Sequence, residues 1–268
     1  MPDFARYYER YSFFAHLAFI KAVLAERSNI RKQALRNRQR DYTRLAGSPE
    51  RLALHRDLNA DLVAAAVAWE SHDYGEGYFY QGLGDLGITG LRDTDARVAA
   101  MELKRWVAGR SVLEIGCNSG FLSLALAPEA REIVGFDINP HLVGMAERAA
   151  EFLKRDNVTF QTAAFEEYQP QRPFEVVLSF ANHSTYDGNT RQTIEDYFGR
   201  CWELTAPGGH LLFESHPPAH EGNGLDGVMA SLEQFYRIEE RRVLDYGTFL
   251  DRGRTFAVAQ RREKGSRA

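Results

Sequence analysis

The sequence predicts an α/β fold, with a doubly wound and mostly parallel sheet, a C-terminal antiparallel hairpin and an N-terminal helical extension. Three observations support this prediction. After Gly109, short apolar runs alternate with stretches of helical periodicity, which is typical of successive β-α-β units. Before residue 70, the apolar residues follow helical spacing alone. Near the C terminus, two apolar runs are joined by a loop around Gly247 and Gly253, as expected for paired antiparallel strands.

The N-terminal third predicts helices followed by a loop. Helical spacing covers residues 4–70, and the segment 47–49 (Gly-Ser-Pro) marks a break between two helices. Residues 73–91 are rich in glycine and tyrosine and have no sustained period, so they predict a loop. Residues 93–107 then predict one further helix.

The rest of the chain supplies the sheet and its helices. Buried strands are predicted at 111–115, 132–136, 158–162, 174–180 and 210–214. The intervening helices are predicted at 121–127, 139–154 and 190–204, and the closing hairpin pairs 235–244 with 254–261. These elements form a predicted core domain of residues 95–268, preceded by an N-terminal extension of residues 1–94.

The composition is that of an ordinary folded protein. With 44% hydrophobic and 26% charged residues in 268, the chain is neither disordered nor collagen-like nor a coiled coil. Only two cysteines are present, which excludes a disulfide framework and predicts a cytoplasmic protein. The longest nearly apolar run, residues 11–24, is interrupted by His16 and Lys21 and is too short for a membrane span.

The strongest chemical signal follows the first predicted strand, where Glu114 precedes a turn from Gly116 to Gly120. Glycines allow a sharp turn and close approach to a ligand, and the next helix presents free N–H groups. About twenty residues later, Asp137 ends the second strand and suits ribose hydroxyls. The three-glycine pattern of dinucleotide enzymes is absent, and the Glu114 carboxylate would repel a pyrophosphate but suits a cationic ligand.

These residues resemble the class I S-adenosylmethionine (SAM)-dependent methyltransferases, which have a Rossmann-like fold. The Glu114–Gly120 segment matches the family's glycine motif, with Asn118 in place of the commoner middle glycine, and Asp137 matches its ribose-binding acid. Three later segments match further motifs in order, at 158–165, 174–180 and 204–209. The resemblance covers residues 95 to 262.

The resemblance implies SAM as cofactor and S-adenosylhomocysteine (SAH) as product. In this family an N-terminal segment often closes over SAM, so the loop at the end of the 1–94 extension is expected to cover the cofactor. Arg92 is expected to pair with the methionine carboxylate, because a guanidinium binds a carboxylate bidentately. Family members often carry Asp where this chain has Ala164, so Glu166 is the alternative adenine partner. The implied cofactor-binding residues are Tyr80, Gln81, Arg92, Glu114, Gly116, Cys117, Asn118, Ser119, Gly120, Asp137, Ile138, Ala164, Phe165, Glu166, Phe180 and Ala181.

Candidate catalytic residues follow the fourth and fifth strands, because ligands of such sheets lie beyond the carboxyl ends of the strands. His183 is the preferred general base, since an imidazole titrates near neutral pH. Glu214 and His216 are alternative bases, and Tyr186 is expected to contact the acceptor. A divalent ion could be ligated by five of these side chains, but they share no helical ligand pair, so no metal is predicted; the five are His183, Glu214, His216, His220 and Glu221.

The sequence thus predicts an enzyme that methylates a small molecule or a glycan at a hydroxyl oxygen. An RNA (tRNA-type) methyltransferase and a non-catalytic SAM-binding subunit are the alternatives. Residues 26–60 contain nine Lys or Arg against four Asp or Glu, which suits an anionic partner. The net charge of −4 argues against a nucleic acid as the main acceptor. No oligomeric state is predicted.

Overall fold

The computed structural model describes residues 13–68, 77–184, 192–218, 224–247 and 251–263. Its strands are β1 (Gln81–Gly82), β2 (Arg92–Asp93), β3 (Ser111–Ile115), β4 (Glu132–Asp137), β5 (Val158–Thr162), β6 (Phe174–Phe180), β7 (Thr205–Glu214), β8 (Tyr236–Val243) and β9 (Thr255–Arg261). Strands β3 to β9 form one sheet in the order β5-β4-β3-β6-β7-β9-β8. The first five strands in this order pair in parallel, and β9 runs antiparallel to both β7 and β8, so the predicted fold class is confirmed.

Eight α-helices surround the sheet in the described residues. They are α1 (Phe13–Leu45), α2 (Pro49–Ala68), α3 (Thr94–Ala100), α4 (Leu103–Val107), α5 (Phe121–Leu126), α6 (Pro140–Leu153), α7 (Ile194–Leu204) and α8 (Leu225–Phe235). Every residue of β3 is buried, because helices cover both faces of the sheet. None of the helices in the described part of the chain is long and apolar enough to cross a bilayer.

Local sequence explains where the helices beside the site begin. The Asn139 side chain accepts hydrogen bonds from the backbone N–H groups of His141 and Leu142, and Pro140 occupies the first turn, so α6 starts immediately after β4. Helix α5 starts directly after Gly120, which caps it in a left-handed conformation with φ 71°. Both helices therefore begin at the carboxyl end of the parallel strands.

Three predicted elements differ from the structure. The single helix predicted over 93–107 is two helices, α3 and α4, because Glu102 adopts a left-handed φ of 51° between them. The loop predicted over 73–91 contains a 3-10 helix, Gly84–Leu86, and a short strand β1 (Gln81–Gly82) that pairs in parallel with β2 (Arg92–Asp93). Helix α8 was not predicted, although its buried Met229 and Leu232 have helical spacing.

The N-terminal helices pack against the sheet domain and share a hydrophobic core with it. Leu54 and Leu58 of α2 belong to the same buried cluster as Phe121 of α5 and Val143 of α6. Helix α1 joins this cluster through Ala34. Residues of the predicted extension and of the predicted core therefore bury one another's apolar surface.

Candidate cofactor and catalytic site

The glycine turn after β3 lies at the carboxyl edge of the sheet and has an unusual backbone. Gly116, Asn118 and Gly120 have positive φ angles of 62°, 54° and 71°. A Cβ atom on Gly116 would lie 2.7 Å from Oδ1 of Asn182, and one on Gly120 would lie 2.5 Å from Cβ of Ala146. The two glycines are thus required both by conformation and by space.

Asp137 connects this turn to the end of β4. Its Oδ2 accepts a hydrogen bond from the Asn118 N–H at 2.9 Å, and its Oδ1 accepts one from the Asn139 N–H at 3.0 Å. The backbone of Cys117 also donates to the Phe136 carbonyl at 2.9 Å. These bonds fix a carboxylate at the strand end, next to half-buried Ile138, in the position expected of a ribose acceptor.

Two side chains from other segments contact the turn. Ser119 donates from its backbone N–H to Oδ1 of Asn118 at 2.8 Å, and its hydroxyl donates to Oε1 of Gln81 at 3.4 Å. The Asn182 amide donates to the carbonyl of Ile115 from the opposite side. Sequence reasoning omitted Asn182 from the predicted site, although its position two residues beyond β6 is a signal that could have identified it.

Glu114 and Cys117 both point into the protein. Glu114 is buried, and its Oε2 accepts hydrogen bonds from the Ser123 N–H at 3.1 Å and from the Ser123 hydroxyl at 2.5 Å. Burial raises the pKa of Glu114 to about 7, against the opposing effect of Ser123. Burial also raises the pKa of the Cys117 thiol well above its usual value, so this thiol is not an activated nucleophile.

The segment after β5 lies beside Asp137 and contains an unsatisfied acceptor. The N–H of Ala163 donates to the Asp137 carbonyl at 3.0 Å, and the Ala164 carbonyl accepts from the N–H groups of Glu167 and Tyr168 at 3.1 and 3.0 Å. The ring of Phe165 stacks on Tyr197 with centroids 4.7 Å apart. Within the described residues, Oε1 of Glu166 is buried without a hydrogen-bond partner. This oxygen is therefore able to accept a hydrogen bond from a group outside the described residues.

A buried cluster of arginines surrounds Glu214 at the end of β7. Nη2 of Arg92 lies 2.7 Å from one Glu214 carboxylate oxygen, and Nη2 of Arg97 lies 2.9 Å from the other. Arg254 approaches the same group at 3.7 Å, and Asp251 pairs with Nε of Arg92 at 2.5 Å. The three arginine partners of Glu214 were not predicted, because they lie far away in the sequence.

These contacts alter two expectations. Burial alone would raise the pKa of Glu214, but the attraction of Arg92, Arg97 and Arg254 outweighs it and lowers the pKa to about 2. So acidic a carboxylate is a poor general base, which argues against the expected role of Glu214. Arg92 already binds the carboxylates of Glu214 and Asp251, so its guanidinium is not available for the bidentate pair expected with the cofactor carboxylate. Tyr80 lies near Arg92, with the ring centroid 5.9 Å from Cζ of the arginine.

The expected catalytic histidines come together beyond β6 and β7. The buried His183 ring lies 4.8 Å from the ring of half-buried His216, centroid to centroid. Nε2 of His216 lies 2.7 Å from the Ser184 carbonyl, which ties the two chain segments together. Ala181 has a left-handed φ of 59° and donates to the Glu214 carbonyl at 2.8 Å. Strain at a non-glycine residue is common at functional sites.

Half-buried Phe180 lies beside these residues, 5.6 Å below the guanidinium of Arg97. The predicted acceptor contact Tyr186 lies outside the described residues, as do His220 and Glu221. Among the residues that the structure describes, no three His, Cys, Asp or Glu side chains are grouped as a metal ion would require.

Comparison with known protein families identifies one match that covers most of the sheet. A family model described as a methyltransferase domain matches residues 107–248, which is more than half of the chain. The matched segment includes the glycine turn, Asp137, His183 and His216.

Individual relatives are distant. A protein assigned as a methyltransferase in a Geobacillus species is 28% identical over 110 residues, which cover 40% of this chain and 42% of that protein. The ubiquinone biosynthesis O-methyltransferase of Aromatoleum aromaticum is 28% identical over 113 residues, which cover 41% of this chain and 45% of that protein. The matched region therefore spans less than half the length of either relative.

Among solved structures, the fold is similar to that of the N-methyltransferase NodS from Bradyrhizobium japonicum, determined in complex with SAH. The TM-score is 0.51 at 19% sequence identity, and the match covers 62% of this chain and 87% of that chain. At this level of identity, the likeness concerns the fold alone.

Proposed function

The chain belongs to the methyltransferase domain family, and we propose that it transfers the methyl group of SAM to a hydroxyl oxygen of a small molecule or a glycan. The observation that carries the proposal is the Asp137 carboxylate, held by the Asn118 and Asn139 N–H groups beside a left-handed glycine turn. Carboxylates at this position of nucleotide-binding sheets accept hydrogen bonds from ribose hydroxyls.

The residues around Asp137 fit the adenosine part of SAM. Glu166 has a buried oxygen without a hydrogen-bond partner in the described part of the chain, and the adenine amino group is a donor that would satisfy it. Ala164 is too small to make that contact itself. This supports Glu166 as the substitute for the aspartate that the family often carries at position 164.

The other side of the glycine turn fits the methionine part. Gln81 and Ser119 lie together there, and their polar atoms can bond to an ammonium or a carboxylate. Glu114 precedes the turn by two residues, and a cationic ligand at the turn would favour its ionised form, because a nearby positive charge stabilises a carboxylate. Bound SAM supplies a methyl group that is already activated by its sulfonium.

The proton of the acceptor hydroxyl is the remaining chemical requirement, because a neutral alcohol is a weak nucleophile. We assign its removal to His183, whose imidazole is buried at the strand end next to His216. His216 keeps the two loops together through the Ser184 carbonyl. Glu214 acts as the counter-ion of the arginine cluster, which leaves an imidazole as the base.

An RNA methyltransferase is the second candidate, and one observation favours it. Between residues 28 and 45, the only acidic residue, Asp41, is buried, while six basic residues are exposed along α1. These are Arg31, Lys32, Arg36, Arg38, Arg40 and Arg44. A helix with this charge can bind a polyphosphate backbone.

A transfer assay separates the candidates. The full chain is incubated with methyl-tritiated SAM and, in parallel, with hydroxylated aromatic compounds, sugar nucleotides or bulk tRNA. We expect label in a small-molecule or sugar fraction, and we expect His183→Ala to reduce that transfer about 10²–10⁴-fold. SAH affinity should be unchanged in this variant.

The possible contradictions are distinct. Label that enters only tRNA, with transfer that falls steeply as salt rises, would replace the first candidate by the second. Wild-type transfer rates in His183→Ala would exclude His183 as the base. A chain that binds SAH but methylates none of the acceptor classes would support a non-catalytic SAM-binding subunit and contradict both candidates.

A further inference from the structure

A buried hydrogen-bond network lies between the N-terminal helices and the residues before the sheet, and the proposed reaction does not use it. Asp41 of α1 is fully buried and is its centre. Oδ2 of Asp41 accepts hydrogen bonds from the Tyr78 hydroxyl and from the Thr89 N–H, both at 2.6 Å. Oδ1 accepts from the Thr89 hydroxyl at 2.7 Å and from Nη2 of Arg44 at 2.8 Å.

Helix α2 joins the network through His55. Nε2 of His55 lies 2.7 Å from the Tyr78 hydroxyl oxygen, and all of His55 is buried. Burial and the neighbouring Asp41 raise the pKa of Tyr78, so the phenol stays protonated and donates a hydrogen bond to Asp41. His55 then donates to the phenol oxygen through Nε2. The Tyr78 hydroxyl thus donates to a residue of α1 and accepts from a residue of α2.

The network fixes one particular stretch of chain, residues 77–93, which we call the covering segment. Besides Tyr78 and Thr89, α1 holds the Gly90 carbonyl through the Asn37 amide at 2.9 Å. The covering segment folds tightly on itself between these points, since a Cβ atom on Gly90 would lie 2.1 Å from the carbonyl carbon of Gln81. The segment therefore has little freedom to move relative to α1.

The opposite side of the covering segment contacts the cofactor site. Gln81, three residues after Tyr78, accepts the hydrogen bond from the Ser119 hydroxyl in the glycine turn. Phe79 lies next to Phe121, the first residue of α5, with ring centroids 6.3 Å apart. One short segment thus connects the Asp41 network to the turn that would hold the methionine end of SAM.

We propose that Asp41 and Tyr78 are positioning residues for the cofactor: they hold the covering segment so that Gln81 lies against the glycine turn. The inference rests on the proposed function, because it takes SAM as the ligand of this turn. It gives the N-terminal helices a role in cofactor affinity in addition to their share of the core.

The test compares two buried tyrosines by calorimetric titration with SAH. Tyr78→Phe removes a hydroxyl from the network. Tyr236→Phe removes an equally buried hydroxyl, which bonds to Thr205 at 2.9 Å where β7 begins, far from the glycine turn. We expect both variants to lower Tm by similar amounts, and only Tyr78→Phe to weaken SAH binding, by about tenfold.

A second ligand identifies the end of the cofactor that is affected. Methylthioadenosine lacks the amino-acid end of SAH, so we expect Tyr78→Phe to change its affinity much less. Asp137→Ala, which removes the ribose contact, should weaken the binding of both ligands. Thr89→Val removes one of the bonds to Asp41 with little change in volume, and it should reproduce the effect on SAH in a weaker form.

Each result bears on a different claim. Wild-type SAH affinity in Tyr78→Phe and Thr89→Val, or an equal loss in Tyr236→Phe, would overturn the positioning role. An equal loss for both ligands in Tyr78→Phe would do so as well. Should Tyr78→Phe fail to fold, the Thr89→Val measurement alone decides. A wild-type chain that binds neither ligand would instead overturn the proposed function.

Discussion

Two buried glutamates beside the candidate site have pKa values displaced in opposite directions, and their different partners explain this. Among the described residues Glu114 accepts hydrogen bonds from Ser123 alone, so burial dominates and its pKa is about 7. Glu214 is buried too, but three arginines outweigh the burial and its pKa is about 2. Burial raises both pKa values, and the charge of the neighbouring groups decides whether that effect prevails.

The raised pKa of Glu114 predicts how stability depends on pH. The folded state holds the Glu114 proton up to about pH 7, whereas the unfolded state releases it near 4.5. The folded state therefore binds more protons in this window, and the free energy of unfolding should fall as pH rises from 4.5 to 7. Glu114→Gln lacks this dependence, so its stability relative to wild type should increase by about 3 kcal/mol across the window.

Urea denaturation of both proteins at pH 5 and pH 8 measures this difference. Glu214 does not interfere, because a carboxyl with a lowered pKa loses its contribution only as pH falls from 4.5 towards 2. An equal change in stability for the two proteins would contradict the raised pKa of Glu114.

At the level of elements, the arginine cluster connects parts of the chain that are far apart. Arg92 belongs to β2 and Arg97 to α3, while Glu214 ends β7 and Asp251 precedes β9. Buried ion pairs of this kind lose much of their attraction to desolvation, so their net stabilisation is small. Removing one partner is different, because it leaves the others charged and buried.

Glu214→Gln should therefore be strongly destabilising. We expect a loss of about 3–5 kcal/mol, since three buried guanidinium groups would lose their shared carboxylate. Glu240→Gln is the matched control, because Glu240 pairs with Arg105 at the surface, where the two side chains are 32% and 50% exposed. Its cost should stay below about 1 kcal/mol. Similar losses in chemical denaturation would mean that the cluster does not depend on Glu214.

The secondary structure was largely predictable, because most of these elements are encoded locally. The five parallel strands were found from short apolar runs, and α6 from its periodicity and its Asn-Pro start. The break at Glu102 was missed, since a left-handed conformation at a non-glycine residue has no strong sequence signal. The pairing of β1 with β2 was missed for another reason: each strand has two residues, too few to show a period.

For the whole molecule, the N-terminal helices complete the hydrophobic core of the sheet domain. Leu58 on α2 is fully buried in a cluster with Phe121 and Val143, which belong to the helices that follow β3 and β4. The net charge of −4 is distributed unevenly over this assembly, because residues 28–45 of α1 expose six basic residues and no acidic one. One part of the extension therefore stabilises the fold, and another presents positive charge to the solvent.

Leu58→Ala tests this arrangement. We expect a loss of about 2–5 kcal/mol in the free energy of unfolding, because the substitution leaves a cavity between α2 and the sheet domain. Val67→Ala lies on the same helix but is 78% exposed, and it should change stability by no more than about 0.5 kcal/mol. A small effect of Leu58→Ala in thermal or urea unfolding would mean that α2 does not contribute to the core.

The sequence alone determined the fold class, the order of the strands along the chain and the position of the glycine turn, because apolar periodicity and glycine spacing are local properties. The tertiary structure alone decided the partners of the charged side chains. Arg92 is paired with Glu214 and Asp251, 122 and 159 residues away, and Glu114 is turned towards Ser123. Desolvation and charge pairing depend on what the fold brings together, and no local pattern records that.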